Sequence, residues 1–410
     1  MEMSRLFRRV AIAALACLGS GGPALAQERA EAIAVEVKPI LDLRLRHERV
    51  EQPNAQAFAF TLRARAGAEA RFGAFTLLAE GEATLAPVAD YNAFPFAAAS
   101  GQRRPQFAVV PDPENIEMNR LQLQYKAGDT SLTFGRQRIN LDDQRWVGSV
   151  GWRQNEQTFD AVRGEARLGP IGVDLTYAIS QRTIFGADAG PRVDQDGSFV
   201  FAGLSAREGP MEAKLFAYIF DYDEALSLAN SSQTYGGILS GAASVTQRLR
   251  LALRVSYARQ SNYGANPFDY AADYWALEGS ATLSGFTLAA GWEQLGSDNG
   301  RAVQTPMATL HRFNGWADLF LTTPPAGLRD AYISVSSRFD GVRPLPGLNA
   351  TIAFHQFDSA VAGTEYGTEW DASVGFRLGR VGILLKYADY DAGGFGADTR
   401  KFWLQAEWSY

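Results

Sequence analysis

Cysteine is all but absent: Cys17 is the only one in 410 residues. The chain beyond it therefore has neither a disulfide framework nor a cysteine metal site. Lysine is scarce, with 5 lysines against 34 arginines. Histidine is limited to His47, His311 and His355. A hydrolytic triad needs a histidine beside a serine with an orienting acid, and no Gly-x-Ser-x-Gly elbow occurs. All three histidines therefore read as structural, and neither a catalytic residue nor a cofactor is expected. No apolar run is long enough for a membrane-spanning helix, and no Pro/Gly/Ser linker divides the chain into domains. A net charge of −6 argues against nucleic acid as a partner.

What is present begins with Arg5, Arg8 and Arg9, followed by the short apolar run Val10 to Leu18 and by Ala24-Leu25-Ala26. A basic head, short apolar middle and small-residue exit predict a secretory signal peptide over 1–26, with the remaining 27–410 forming a single domain. A lipoprotein signal acylated on Cys17 is the weaker alternative, because Ala14 stands where such signals usually carry leucine.

Period-two alternation dominates the rest. Leu41, Leu43 and Leu45 alternate with Asp42, Arg44 and Arg46, and Leu62, Ala64 and Ala66 with Arg63, Arg65 and Gly67. Leu249 to Tyr257 repeats the pattern, with Arg250 and Arg254 on the second face. Successive strand residues point to opposite faces. If the apolar face meets lipid, the arginines face a lumen, since one lipid-facing arginine near mid-bilayer costs roughly 2–4 kcal/mol. Strand candidates of ten or more residues, tight turns alternating with longer polar loops, and an aromatic C-terminal residue favour a transmembrane barrel over a soluble sandwich. Tyr125, Phe220, Tyr222, Tyr387, Tyr390, Trp408 and Tyr410 fit an interfacial girdle. The expected fold is all-β: an antiparallel barrel of about 18 strands in the outer membrane of a Gram-negative cell, with both ends on the short-turn, periplasmic side. The segment 211–222 alternates poorly.

Two segments stand apart from the strands. One runs from Gly135-Arg136-Gln137-Arg138 through Arg145 and Arg153 to Thr158-Phe159-Asp160-Ala161-Val162-Arg163; the other holds His311-Arg312-Phe313-Asn314-Gly315-Trp316-Ala317-Asp318. Both resemble the alginate export family of outer-membrane barrels. The resemblance implies an 18-stranded monomer with an electropositive constriction through which a polyuronate leaves the cell. It also implies periplasmic polysaccharide export proteins as partners, besides outer-membrane lipid. A general or anion-selective porin for small anions is the alternative.

The expected lumen residues are Arg44, Arg46, Arg63, Arg65, Arg136, Arg138, Arg163, Arg250, Arg254 and Asp160. Arg136 and Arg138 share parity with apolar Leu132 and Phe134, so their inward role requires a bulge at Gly135. Asp160 and Arg163, three residues apart, lie on opposite faces of an ideal strand, so no direct pair is expected. Arg145, Arg153, His311, Trp316 and Asp318 are expected at a constriction, because the long loop 297–328 is too structured for an idle connection. The loop 87–113 reads as a mobile external cover or a disordered segment. Asp42, Glu69, Glu165, Glu278, Glu293, Asp371 and Glu407 are expected to brace inward arginines, or to form a mixed-charge ladder that relays a charged polymer.

Overall fold

The computed structural model describes residues 34–410 except 340 and 362. The expected signal peptide lies outside the described residues. The strands are β1 (Val35–Gln52), β2 (Ala55–Phe72), β3 (Phe75–Asp90), β4 (Asn115–Ala127), β5 (Thr130–Gln137), β6 (Thr158–Leu168) and β7 (Ile171–Arg182). Next come β8 (Asp194–Glu208), β9 (Met211–Tyr222), β10 (Ser232–Ser244), β11 (Leu249–Asn262), β12 (Ala271–Leu283) and β13 (Phe286–Leu295). A small ribbon, β14 (Ser297–Asp298) with β15 (Arg301–Ala302), lies in a loop. The wall then resumes with β16 (Leu328–Arg338), β17 (Asn349–Asp358), β18 (Glu365–Leu378), β19 (Val381–Ala392) and β20 (Thr399–Ser409). Leaving out the ribbon, 18 antiparallel strands form one sheet, and β1 pairs with β20 from Asp42↔Ser409 to Glu51↔Arg400. That pairing closes the barrel and leaves no sheet edge along it, as a lipid environment demands.

The alternation predicts each face correctly over most of the wall. Leu41, Leu43 and Leu45 are exposed on the outside, whereas Arg44, Arg46, Arg63 and Arg65 are buried inside. On β8 and β9 both faces are apolar. Outward Leu204 and Leu215 are exposed, while inward Phe199, Phe201, Phe216, Tyr218, Phe220 and Tyr222 are buried. This explains the poor alternation of 211–222: a strand with lipid on one side and an apolar core on the other has no polar face to alternate with. Phe220, Tyr222 and Tyr390 therefore do not belong to an interfacial girdle, because all three point inward at 3% exposure or less. Tyr125, Tyr387 and Tyr410 are exposed.

That core exists because loops enter the barrel. The chain leaves the wall after Gln137 and returns at Thr158. Gly135 sits at the departure with φ 111°, and a Cβ there would fall 2.3 Å from the Leu121 carbonyl. Residues 138–157 and 296–327 both fold inward, and Ile139, Val147, Val303 and Met307 are wholly buried. The loop between β3 and β4 is neither a mobile cover nor disordered. Tyr91, Phe94, Ala108 and Val110 pack with Val50 and Ala57 into a second apolar cluster.

Candidate permeation pathway

On the β1–β4 side the inward arginines are in contact with acids and with the inward loop. Arg44 donates to the Gly151 carbonyl (2.9 Å) and to Glu407 (2.9 Å). Arg46 donates to Gln405 and the Trp152 carbonyl (2.6 Å), stacks 4.1 Å from the Trp152 ring and meets Asp112 at 3.5 Å. Arg63 binds Asp42 and Glu407, and Arg65 binds Glu82 and Glu156. Arg138 joins Glu156 and Glu80. Charge-assisted pairs of this kind fix rotamers and position, and breaking one buried pair typically costs about 3–5 kcal/mol. The arginine lining is thus a braced wall in which carboxylates match arginines, Asp42 and Glu407 among them as expected.

Arg136 and Asp160 are not in the lumen. They pair bidentately with each other (2.8 and 2.8 Å) on the outward parity of β5 and β6, in register with exposed Leu121. The reason is that β5 keeps its register up to Gln137 despite the unusual Gly135 backbone, so no bulge re-aims Arg136. Arg163 instead pairs with Asp174 and Glu165, as its separation from Asp160 predicts. Arg254 pairs with Asp143 (2.8 Å) and Glu278 (3.4 Å).

The second inward loop is held at its tip by a dense polar knot. Asp318 accepts from Arg153 (2.8 Å), Lys401 (3.0 Å) and His311 Nδ1 (2.7 Å). His311 Nε2 lies 2.6 Å from Lys386 Nζ, and its ring stacks on Trp152 with centroids 4.3 Å apart. A neutral imidazole that donates through Nδ1 and accepts at Nε2 satisfies both contacts. Burial, with Lys386 and Arg153 nearby, pushes His311 well below its ordinary pKa. Burial disfavours the Asp318 carboxylate, yet His311, Lys401 and Arg153 outweigh it and hold that carboxyl well below its usual range. Gly315 adopts φ 80°, which lets Glu369 approach so closely that a Cβ would sit 2.4 Å from its Oε2. Glu369 Oε1 accepts the Trp316 and Ala317 amides (2.5 and 2.7 Å). Trp316 covers Lys386 at 3.7 Å.

The same loop partitions the lumen. Leu310, His311, Ala317, Asp318 and Leu319 line an upper cavity of about 520 Å³, open toward the long loops. Arg312 to Trp316 line a lower cavity of about 350 Å³, along with Arg254, Glu278, Asp330 and Tyr332. Residues 310–319 thus contribute to both cavities. Arg145 anchors them from below, with Glu293 at 2.7 Å and Asn314 at 3.2 Å. His355 is bonded to Asp330 (2.9 Å) inside the barrel, whereas His47 packs outside on Phe58.

Arg192, Arg312 and Arg250 are among the lumen-lining guanidinium groups that form no ion pair with a described residue. Arg192 borders the upper cavity, Arg312 the lower one, and Arg250 a third cavity near the short turns. Sequence reasoning found Arg250 and missed the other two. Arg312 stood inside a segment of interest, but no local pattern separates a paired cation from a free one.

Several solved structures share this fold. Pseudomonas aeruginosa OccK9 (OpdG) superposes with a TM-score of 0.72 at 16% identity, over 91% of this chain and 98% of that one. Acinetobacter baumannii OccAB4 gives 0.71 at 12% identity, over 92% and 98%. P. aeruginosa OccK2 (OpdF) in complex with glucuronate gives 0.68 at 16% identity, over 91% and 98%. No curated protein sequence matches the chain. A family model for alginate export matches residues 94–312, more than half of the sequence. With that match and a closed 18-stranded barrel, the chain belongs to the alginate export family and is an outer-membrane β-barrel channel.

Proposed function

We propose that the channel passes carboxylate-bearing solutes without catalysing a reaction, and that the chain is exported through the signal at 1–26. The observation that carries this reading is the placement of Arg192, Arg312 and Arg250, none of them in an ion pair with a described residue, on both sides of the partition. A guanidinium with no acid partner is available to a passing carboxylate, and solvated single contacts keep affinity low enough for release. Arg44, Arg46, Arg65, Arg138, Arg145 and Arg153 shape the pathway by holding the loops, and Arg63, Arg163 and Arg254 cross-brace its wall.

The geometry favours small anions over a polymer. A small solute needs side chains to move around residues 310–319, whereas a polysaccharide needs the inward loops, with their buried pairs and apolar core, to leave. Export of an alginate-like polyuronate is the second reading, favoured by family membership.

Reversal potentials across a salt gradient, with the purified protein in a planar bilayer, test the proposal. Anion preference is expected, falling at least twofold in an Arg312→Ala, Arg250→Ala double variant. Cation preference, or no change in the variant, rejects it. Block by oligouronate at concentrations where a monouronate passes freely would move the reading to the polymer.

A further inference from the structure

The upper cavity differs from the rest of the pathway in chemistry. Half of its lining residues are apolar, contributed by four loops and the top of β1. Phe96 and Phe185 meet edge to face at 4.8 Å on one side, and Leu319 and Leu321 lie across the same cavity. Leu321 is 42% exposed although it sits inside the mouth. Apolar surface left open in a concave, partly enclosed site is where a ligand's own apolar surface leaves water.

The polar groups in that lining are largely taken. Gln181 donates to Gln157, which itself donates to the Gly148 and Met307 carbonyls. Gln195 accepts from Ser227, and Arg153 and Lys401 share Asp318. A polyhydroxylated solute would exchange water for walls with few free donors or acceptors, which is unfavourable. Arg192 is the exception. Its guanidinium lies 4.8 Å from the Phe96 ring centroid and has no acid partner among the described residues. Arginine resting on an aromatic face keeps its outer N–H groups free for a planar acceptor.

We propose that the upper cavity is a recognition site for small aromatic monocarboxylates, with the carboxylate on Arg192 and the ring against Phe96 and Phe185. This rests on the carboxylate-channel reading and narrows it: the mouth selects for an apolar body, not for hydroxyls. At about 520 Å³ the cavity falls within the roughly 300–1,000 Å³ typical of small-molecule sites.

The test is ion-current block in a planar bilayer, with benzoate or glucuronate added on the long-loop side. Benzoate is expected to interrupt the current at a concentration at least tenfold below that of glucuronate. Arg192→Ala should abolish that advantage, and Arg192→Lys should restore only part of it, since a point charge replaces the planar fork. Equal potency of the two anions, or benzoate block that survives Arg192→Ala, overturns the proposal. Block by glucuronate alone overturns it while leaving the carboxylate channel intact. Current with no anion preference and no block by either removes both.

Discussion

Along β1–β4 and β18–β20 many inward side chains are charged and paired, whereas β8, β9 and Tyr274 of β12 turn aromatic rings inward, where Phe216 and Tyr274 meet Trp146. Both sectors hold the inward loops, but the physics differs. The charged sector works by geometry. Arg153 joins Glu48, Asp112 and Asp318 at 3.2, 3.7 and 2.8 Å, so loop and wall fit in one arrangement. Such pairs gain little net stability, because desolvation offsets attraction, but losing one partner is costly. The aromatic sector works by area and tolerates rearrangement. Trp146 meets Tyr274 edge to face at 5.1 Å and lies 6.0 Å from Phe216. A loop fastened on one side by specific pairs and on the other by adaptable packing can hinge about the apolar side when the pairs open.

If that contrast is right, Asp318→Ala gives the largest effect. It leaves Lys401 without its acid, takes one of three acids from Arg153 and removes the partner of His311 Nδ1, at about 3–5 kcal/mol, the range for a broken buried pair. Single-channel conductance should rise several-fold, and a conductance equal to wild type would mean that the charged sector is not the fastening. Trp146→Ala should cost about 3 kcal/mol through the cavity it leaves. Its expected signature is a lower thermal unfolding midpoint and noisier current at unchanged mean conductance. An open state as large as that of Asp318→Ala would erase the distinction between the sectors.

The smallest effect concerns pH. His311 is held neutral, so the folded loop resists a proton that the released loop accepts. Its contribution is present above its ordinary value of 6.5 and is lost as pH falls below it. Asp318 contributes above its ordinary value of 3.8 and fails only below that, as pH falls through its depressed folded value. Of these two groups, only His311 changes its contribution between pH 7 and 5. Open probability should rise modestly in that window for the wild type and stay flat for His311→Gln, and parallel pH responses would assign the effect elsewhere.

The wall was legible in the sequence because its determinant is local. Leu41 to Arg46 and Leu249 to Tyr257 state their two faces within a few residues, so strand number and inward arginines follow directly. The inward loops were legible only as departures from that rhythm. Their partners were not, since Arg153 and Asp318 are 165 residues apart, and Arg145 and Glu293 are 148 apart. Arg136 shows the limit most clearly. Its parity with Phe134 already placed it outside, and the expectation of a bulge at Gly135 overrode a rule that held. The aromatic sector was visible only as failed alternation at 211–222, where the missing polar face was itself the signal.

That missing face has a consequence before the barrel exists. Leu215-Phe216-Ala217-Tyr218-Ile219-Phe220 carries no charge and no proline, and in the finished molecule lipid covers one side and the loop core the other. During periplasmic transit neither cover is present. An uncharged, β-prone hexamer in water is a seed for aggregation. Lys214 and Asp221 flank it like gatekeepers, so the hazard is bounded by charge at both ends of the hexamer.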